Sequence, residues 1–304
     1  FHSMKKLQAW ISACRLRTLP LSISGAILGS GVAYSEGVFV LSVFVLTILT
    51  TLSLQILSNL ANDYGDGVKG TDNKNRIGPE RALQSGIISP KQMRRAIVVN
   101  VIICLFLVVT LICQAFGTDQ FLIPFIFIVL GALAIIAAIK YTVGVSAYGY
   151  KALGDVMVFL FFGWLSVLGT YFLYSNQINY LMLLPASSIG LLSAGVLNLN
   201  NMRDFESDKL SNKHTLAGYL GLENARKYHL TLIILAIFLM LLYFCLLSDQ
   251  LSISLIMIGF IPLFIHLNSF NKVHSPKDYD PQLKVLALST FLLALIFCAS
   301  HILI

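Results

Sequence analysis

Two short segments, far apart in the chain, carry the same mixture of Asp and Asn. In the first, residues 59, 62, 63 and 66 follow the i, i+3, i+4, i+7 spacing that places side chains on one helical face. In the second, residues 201, 204 and 208 follow the i, i+3, i+7 part of that spacing. Clustered carboxylates in a low-dielectric setting repel one another and need cations. Carboxylate and amide oxygens suit Mg²⁺, so the two segments together predict a magnesium site.

Basic residues beside both segments favour a ligand that carries phosphate. Lys and Arg donate charge-assisted hydrogen bonds to phosphate oxygens, and Mg²⁺ often binds through a few carboxylates plus substrate phosphates. The chemistry that fits is the loss of a diphosphate, with the metal neutralising the charge that builds on the leaving group. An apolar or aromatic wall must then keep water from the carbon cation. The candidates for the phosphate oxygens are Lys69, Arg76, Arg81, Arg203 and Lys213.

The rest of the chain indicates that these segments are held in a membrane. Of its 304 residues, 57% are hydrophobic and 12% are charged, whereas a soluble domain has about 25% charged residues. Lipid leaves backbone groups without partners, so spans of this length must be helices. We therefore predict an all-α integral membrane protein with nine transmembrane helices of roughly 20 residues each. The predicted spans are 18–35, 39–60, 96–115, 121–139, 153–174, 180–200, 228–247, 251–270 and 283–303.

Positive charge is confined to one side of this arrangement. All 21 Lys and Arg residues fall in the N-terminal segment and in alternate connections, so the N-terminus is expected in the cytosol and the C-terminus outside. We therefore attribute the net charge of +7 to the orientation of the protein in the cytoplasmic (inner) membrane, and we do not expect a nucleic-acid partner. Residues 4–304 form one polytopic domain with cytosolic cap loops at 61–95 and 201–227. Residues 1–3 are interpreted as a cloning remnant.

Longer stretches around these residues resemble a known family. Asp63-xx-Asp66 and Asp204-xxx-Asp208, on nine spans, resemble the UbiA superfamily of intramembrane prenyltransferases over essentially the whole chain. Four stretches are most similar to the branch that prenylates 1,4-dihydroxy-2-naphthoate. They are LQILSNLANDYGDGVKGTD (54–72), RIGPERALQSG (76–86), KYTVGVSAYGYKALGD (140–155) and NNMRDFESDKLSNKHTLAGYLG (200–221).

The resemblance implies a fold, a reaction and site residues. It implies a UbiA-like bundle that moves a polyprenyl group from polyprenyl diphosphate to 1,4-dihydroxy-2-naphthoate. CO₂ is lost, and the product is a demethylmenaquinone on the route to menaquinone. Asp63, Asp66, Asp204 and Asp208 are expected to hold Mg²⁺ and diphosphate, oriented by Asn59, Asn62, Asn198 and Asn201. Many members place a third Asp four residues after the second. Here Asp72 follows Asp66 by six residues and is a further candidate metal ligand.

The residues for the acceptor are less sharply defined. Lys140 and Tyr141 end the fourth span, Tyr148 and Tyr150 follow, and Asp155 opens the fifth span. One interpretation has Lys140 on the diphosphate, Tyr148 and Tyr150 on the acceptor, and Tyr141 and Asp155 as catalytic groups. The other is interfacial anchoring with a helix cap. At the entry to the first span, Arg17 is a candidate for the acceptor carboxylate, with snorkelling to the interface as the alternative.

Two competing functions remain open at this point. One is prenyl transfer to another aromatic acid, such as 4-hydroxybenzoate. The other is cation-coupled transport. Transporters place their sites near the bilayer midplane on interrupted helices, whereas here the ionisable residues lie at one membrane surface and the span number is odd.

Overall fold

The computed structural model describes residues 2–72, 77–78, 81–117 and 120–303, without the side chains of residues 2 and 3. Within this part of the chain the fold is helical, with no strands. Nine helical stretches are long and apolar enough to cross a membrane, so the predicted all-α polytopic fold is confirmed. These stretches are Met4–Ser35, Leu41–Lys69, Pro90–Phe116, Leu122–Lys140, Gly154–Ser175, Tyr180–Arg203, Leu216–Leu247, Gln250–Phe270 and Pro276–Ile302.

The α-helices begin and end at defined residues. In chain order they are α1 (His2–Cys14), α2 (Leu19–Ser35), α3 (Leu41–Lys69), α4 (Pro90–Phe116), α5 (Leu122–Lys140), α6 (Gly154–Val158), α7 (Thr170–Ser175), α8 (Leu183–Arg203), α9 (Phe205–Leu210), α10 (Leu216–Leu247), α11 (Gln250–Phe270) and α12 (Tyr279–Ile302). A π-helical segment, Phe159–Gly169, joins α6 to α7 within one crossing. Short π-helical turns often occur at functional sites.

Of the two segments predicted as cap loops, 201–227 is largely helical, and helices extend into both ends of 61–95. Helix α3 continues beyond the apolar run to Lys69 and ends at Gly70, whose φ of 74° provides a left-handed C-cap. Helix α4 starts at Pro90 behind a capping box at Ser89, as the Ser-Pro pair predicts. The second segment contains the end of α8, all of α9 and the start of α10. Hydropathy shows where the apolar residues lie, but it does not show where a helix ends. A helix can continue beyond the lipid because its backbone hydrogen bonds are made within the helix itself.

The helices pack around two hydrophobic cores. One core joins α1, α3, α4 and α5 through residues such as Leu57, Leu60 and Met93. The larger core joins α2, α8, α10, α11 and α12 through residues such as Ile189 and Phe297. Because the two Asp/Asn segments lie on α3 and at the end of α8, each core positions one of them.

Candidate active site

A cavity of about 420 Å³ lies between the two cores. Helices α3, α4 and α5 and the π-helical segment line one part of it, and α2, α8 and α12 line another. Its polar part is formed by the ends of α3 and α8 and by the segments that follow them. The cavity can therefore hold a molecule with a charged head and an apolar body.

Helix α3 presents the first Asp/Asn segment to this cavity. Asn59, Asn62 and Asp66, at i, i+3 and i+7, line it, as one helical face requires. Asp63 lies outside the lining. Its buried carboxylate accepts a hydrogen bond from Arg15 at 2.5 Å, and the Arg81 Nε lies 3.6 Å away. Asp63 therefore holds two guanidinium groups that do line the cavity.

The second segment is divided by a break in the helix. Helix α8 ends at Arg203, Asp204 has φ −93° and ψ 11°, and α9 starts at Phe205. The residues of this segment that line the cavity are Asn200, Asp204, Ser207 and Asp208. The predicted Asn198 and Asn201 are buried outside the lining. The Asn198 amide donates to the Ala225 carbonyl instead, at 2.9 Å.

The two segments meet at Lys213. Its ammonium nitrogen lies 3.9 Å from an Asp66 oxygen and 3.6 Å from an Asp208 oxygen. Burial disfavours the ammonium, but the two carboxylates outweigh burial and raise the Lys213 pKa above its ordinary value. Burial raises the pKa of Asp208 to about 6, which Lys213 opposes and the Asp204 and Asp66 carboxylates reinforce. One cation thus already sits where the two carboxylates approach each other.

The carboxylates on the cavity wall fit Mg²⁺ that binds together with a phosphate group. Among the described residues no group of three or more His, Cys, Asp or Glu side chains forms a metal site by itself. One Asp208 oxygen is buried without a hydrogen-bond partner, and buried polar atoms of this kind call for a ligand. Mg²⁺ is usually held by one or two carboxylates plus water and substrate phosphates. Asp66, Asp204 and Asp208 can supply that share.

Arg203, predicted to bind diphosphate, is engaged within the protein. Its side chain is fully buried and lies outside the cavity lining. It donates two hydrogen bonds to Asp204, at 2.9 and 2.7 Å, and one to Asp280 at 2.6 Å. A fourth goes to Asn200 at 2.8 Å. Arg203 therefore fixes the orientation of two groups that face the cavity.

The other predicted cations fall into three groups. Lys213 and Arg81 line the cavity. Lys69 and Lys140 are exposed at helix ends, outside the lining, with the Lys69 ammonium 4.0 Å from the centre of the Tyr150 ring. Arg76 lies outside the described residues.

The three predicted tyrosines divide between the cavity and its support. Tyr141 and Tyr148 line the cavity, with ring centres 5.3 Å apart. Burial raises the pKa of both, that of Tyr148 to about 12. Tyr150 donates to Asp66 at 2.8 Å, and because a phenol has one proton, the Thr71 hydroxyl donates to Tyr150 at 2.7 Å. Tyr150 thus supports Asp66 from outside the lining.

The remaining predicted residues also take definite places. Arg17 lines the cavity and lies 3.4 Å from Asp280. Asp72 lines it beyond the end of α3. Asp155 is buried at the start of α6, outside the lining.

Sequence reasoning missed one residue that supports the first segment and one lysine on the cavity wall. Thr142 donates to the Ala61 carbonyl at 3.0 Å and lies 3.2 Å from the Asn62 side-chain oxygen. It reaches α3 because Gly65 has no side chain: a Cβ there would stand 2.6 Å from the Thr142 hydroxyl. A glycine inside a helix that carries Asn and Asp was the available signal. Lys284, which we used only to count charge, also lines the cavity.

The apolar part of the cavity extends away from these polar groups. Helix α4 contributes Val108 and Leu111, α5 contributes Phe127, and the π-helical segment contributes Phe161 and Leu165. Phe127 also packs against two further aromatic rings, on α4 and α7, at centre distances of 5.1 and 5.4 Å. These side chains give the cavity an apolar wall at a distance from its acidic end.

A bundle of membrane-spanning helices around an acidic and apolar cavity defines the class as a polytopic membrane enzyme. The sequence profile of the UbiA prenyltransferase family matches residues 22–294. The chain belongs to the UbiA prenyltransferase family, as its motifs predict, and this membership decides against a transporter.

Four curated relatives, at 34 to 46% identity, carry one name. The 1,4-dihydroxy-2-naphthoate octaprenyltransferase of Escherichia coli (strain K12) is 46% identical over 231 residues, which cover 76% of this chain and 74% of that protein. The protein of the same name from Mycobacterium tuberculosis (strain ATCC 25618 / H37Rv) is 34% identical over 218 residues, 72% of each chain.

Solved structures with the same fold come from archaea. The apo structure of a UbiA homolog from Aeropyrum pernix K1 aligns with a TM-score of 0.66 and 14% identity, covering 94% of this chain and 96% of that one. A UbiA homolog from Archaeoglobus fulgidus bound to DMAPP and Mg²⁺ aligns with a TM-score of 0.63 and 17% identity, covering 95% and 99%. At these identities the likeness concerns the fold.

Proposed function

We propose that this protein transfers a polyprenyl group from polyprenyl diphosphate to 1,4-dihydroxy-2-naphthoate, with Mg²⁺ as cofactor and loss of CO₂. The observation that carries the proposal is the meeting of Asp66 and Asp208 at Lys213, on the wall of a cavity with an apolar interior. The choice of acceptor rests on the relatives named for it, at 34 to 46% identity.

The polar end of the cavity binds the diphosphate. Asp66, Asp204 and Asp208 would hold Mg²⁺, and the side chains of Lys213, Arg15 and Arg81 would bind phosphate oxygens. When bound, Mg²⁺ neutralises charge on the departing diphosphate. Asp63 keeps Arg15 and Arg81 in place, and Arg203 keeps Asp204 in place. Asn59 and Asn62, also on the wall, orient these groups.

The apolar part of the cavity holds the prenyl tail and protects the reacting carbon from water. The carbon–oxygen bond breaks and its electron pair leaves with the diphosphate. The acceptor ring carbon that bears the carboxylate forms the new bond to the prenyl carbon. CO₂ departs, and the electrons of the broken carbon–carbon bond restore the aromatic ring, so no ring proton has to be removed. The Tyr141 hydroxyl, on the cavity wall near buried Asp155, orients the reacting groups.

Purified protein tests this function directly. With Mg²⁺ and a polyprenyl diphosphate it should convert 1,4-dihydroxy-2-naphthoate into a prenylated quinol and release one CO₂ per product. Mass spectrometry and trapping of labelled CO₂ measure both. Turnover of 4-hydroxybenzoate without turnover of the naphthoate would overturn the choice of acceptor. No prenylated product from either acid would overturn the reaction.

We also infer that the polar end of the bundle faces the cytosol of a cell whose cytoplasmic membrane holds the protein. All Lys and Arg residues lie on that side or in the N-terminal segment. Cysteine placed at Lys277 should react with a membrane-impermeant thiol reagent only after the cells are opened, and cysteine placed at Gln177 should react in intact cells. The reverse pattern would contradict the orientation.

A further inference from the structure

Helix α1, which precedes the first predicted span, packs against the bundle through one side only. Its buried residues Ala9 and Ala13 belong to the same core as Leu57 on α3 and Ile97 on α4. Leu57 and Ile97 fall within the apolar spans predicted for their helices, close to the polar ends of those spans. Helix α1 therefore lies at the depth where the bundle leaves the lipid.

A second side of α1 is polar and faces the connection between α3 and α4. This side lines a small pocket that it shares with residues of the connection. The pocket residues are Lys5, Gln8, Ala9 and Ser12 on α1 and Arg81, Ala82, Ser85 and Ile87 in the connection. Because the connection joins the polar ends of two membrane-spanning helices, it lies on the water side of the lipid. The polar side of α1 thus points away from the bilayer.

The third side of α1 is apolar and uncovered. Met4, Leu7 and Ile11, at i, i+3 and i+7, share one helical face. Their exposed fractions are 60, 61 and 47%, and Leu16, just beyond the helix, is 55% exposed. With about 100° between successive residues, the three sides lie roughly 100° to 150° apart around the axis. A helix with three such sides fits the line where protein, lipid and water meet.

The charge of α1 matches the same surroundings. The helix carries Lys5 and Lys6 and no acidic residue. The cytosolic surface of a membrane is negatively charged and attracts basic segments next to a membrane-spanning helix. The charge and the uncovered apolar side therefore favour one partner, an anionic bilayer surface.

We propose that α1 lies in the cytosolic surface of the bilayer, with its apolar side among the acyl chains and its lysines at anionic headgroups. Arg15, the residue after the helix, lines the cavity and donates to Asp63. Its φ of 49° is uncommon for a residue other than glycine, and such a conformation persists only where surrounding contacts hold it. One of these contacts runs from the Asn59 amide to the Cys14 carbonyl, at 2.9 Å.

The lipid surface thus helps to hold Arg15 at the polar end of the cavity. This second step rests on the proposed function, because it assigns Arg15 to the diphosphate, whereas the placement of α1 in the lipid does not.

The fluorescence of Trp10 tests the placement, because Trp10 lies between the apolar side and the bundle side of α1. Replacing Trp164 by Phe leaves Trp10 as the only tryptophan. In nanodiscs whose lipids carry bromine near the headgroup, the Trp10 emission of this parent should be quenched. Leu7→Gln combined with Ile11→Gln should lose most of the quenching, because amides replace the apolar side.

Two further double variants of the parent complete the comparison. Gln8→Ala with Ser12→Ala changes two exposed residues on the polar side of the same helix and should keep the quenching. Lys5→Gln with Lys6→Gln should lower the quenching more in discs that contain phosphatidylglycerol than in discs of phosphatidylcholine alone.

Equilibrium binding of a labelled polyprenyl diphosphate in the presence of Mg²⁺ tests the step to Arg15 without turnover. Its Kd should rise about tenfold in the Leu7 and Ile11 variant, as loss of a charge-assisted hydrogen bond implies. The Gln8 and Ser12 variant should bind like the parent.

Each step has its own contrary result. Trp10 emission that brominated lipids do not quench, quenching that survives loss of the apolar side, or an equal loss in the polar-side variant would overturn the placement of α1. Unchanged diphosphate affinity in a variant whose α1 has left the lipid would overturn the step to Arg15. A parent protein that shows the expected quenching but forms no prenylated product would refute the proposed reaction and leave the lipid-bound helix standing.

Discussion

The two Asp/Asn segments both place carboxylates at the cavity, but their backbone conformations differ. The first lies on an unbroken helix, α3, whose period alone brings Asn59, Asn62 and Asp66 to the cavity. The second is interrupted at Asp204, where α8 ends and α9 follows, and Asp204 and Asp208 line the same cavity. In each segment one carboxylate is tied to arginine, Asp63 or Asp204, and the other approaches Lys213. Each segment thus pairs a carboxylate held by arginine with one placed to meet a ligand.

The comparison teaches that the motif positions do not have equal roles. Asp63 and Asp204 organise guanidinium groups, although Asp204 also lines the cavity. Asp66 and Asp208 share one lysine, at 3.9 and 3.6 Å. Variants of these positions should therefore fail in different ways.

The largest effect is expected at the two carboxylates beside Lys213. Asp66→Asn and Asp208→Asn should each lower kcat/KM by about a thousandfold or more, because each removes charge from the metal and diphosphate site. Asp249→Asn is the matched control, since Asp249 caps α11 and Asn is an equally good cap. Kinetics over a range of Mg²⁺ concentrations measures the effect. Wild-type rates in both single variants, or full activity of wild type in EDTA, would contradict the assignment.

The next effect concerns the arginine of the second segment. Arg203→Met leaves Asp204 buried without its ion-pair partner, and breaking a buried pair costs about 3–5 kcal/mol. Thermal unfolding in detergent should show a lowered Tm, together with reduced activity through the misplaced Asp204. Lys227→Met, which breaks the exposed pair with Glu223, should leave Tm unchanged. Equal Tm values for the two variants would show that Arg203 does not organise the segment.

The smallest effect concerns the support of Asp66. Tyr150→Phe removes the 2.8 Å hydrogen bond to Asp66 while keeping the ring. Loss of a hydrogen bond to a metal-binding carboxylate reduces metal affinity by about 10- to 100-fold, so the Mg²⁺ concentration for half-maximal rate should rise while the rate at saturating Mg²⁺ changes less. Tyr219→Phe, at an exposed tyrosine, should behave as wild type. An unaltered Mg²⁺ dependence in Tyr150→Phe would separate Tyr150 from the metal site.

The sequence predicts the spans and the two acidic segments because both depend on local pattern. Nine apolar runs and a helical spacing of Asp and Asn can be read without knowing which residues meet. The same spacing chose Asn201, three residues before Asp204, whereas Asn200, four residues before it, lines the cavity. Both spacings fit one helical face, so the sequence alone could not decide between them. The spacing could not show that Arg203 donates its hydrogen bonds to Asp204 and Asp280, because those contacts depend on how α8 and α12 pack.

The π-helical segment links the cavity wall to the contacts that α7 makes on the opposite side of the membrane. Each residue of an α-helix turns the chain by about 100°, so deleting one residue between Phe159 and Gly169 would rotate α7 by about that angle. The rotation would pull Tyr171 from its hydrogen bond with Glu36 and Tyr174 from Ser30. A change in residue number within this crossing therefore alters the contacts of α7 with Glu36 and Ser30, whereas a change of side chain at Phe161 is confined to the cavity wall.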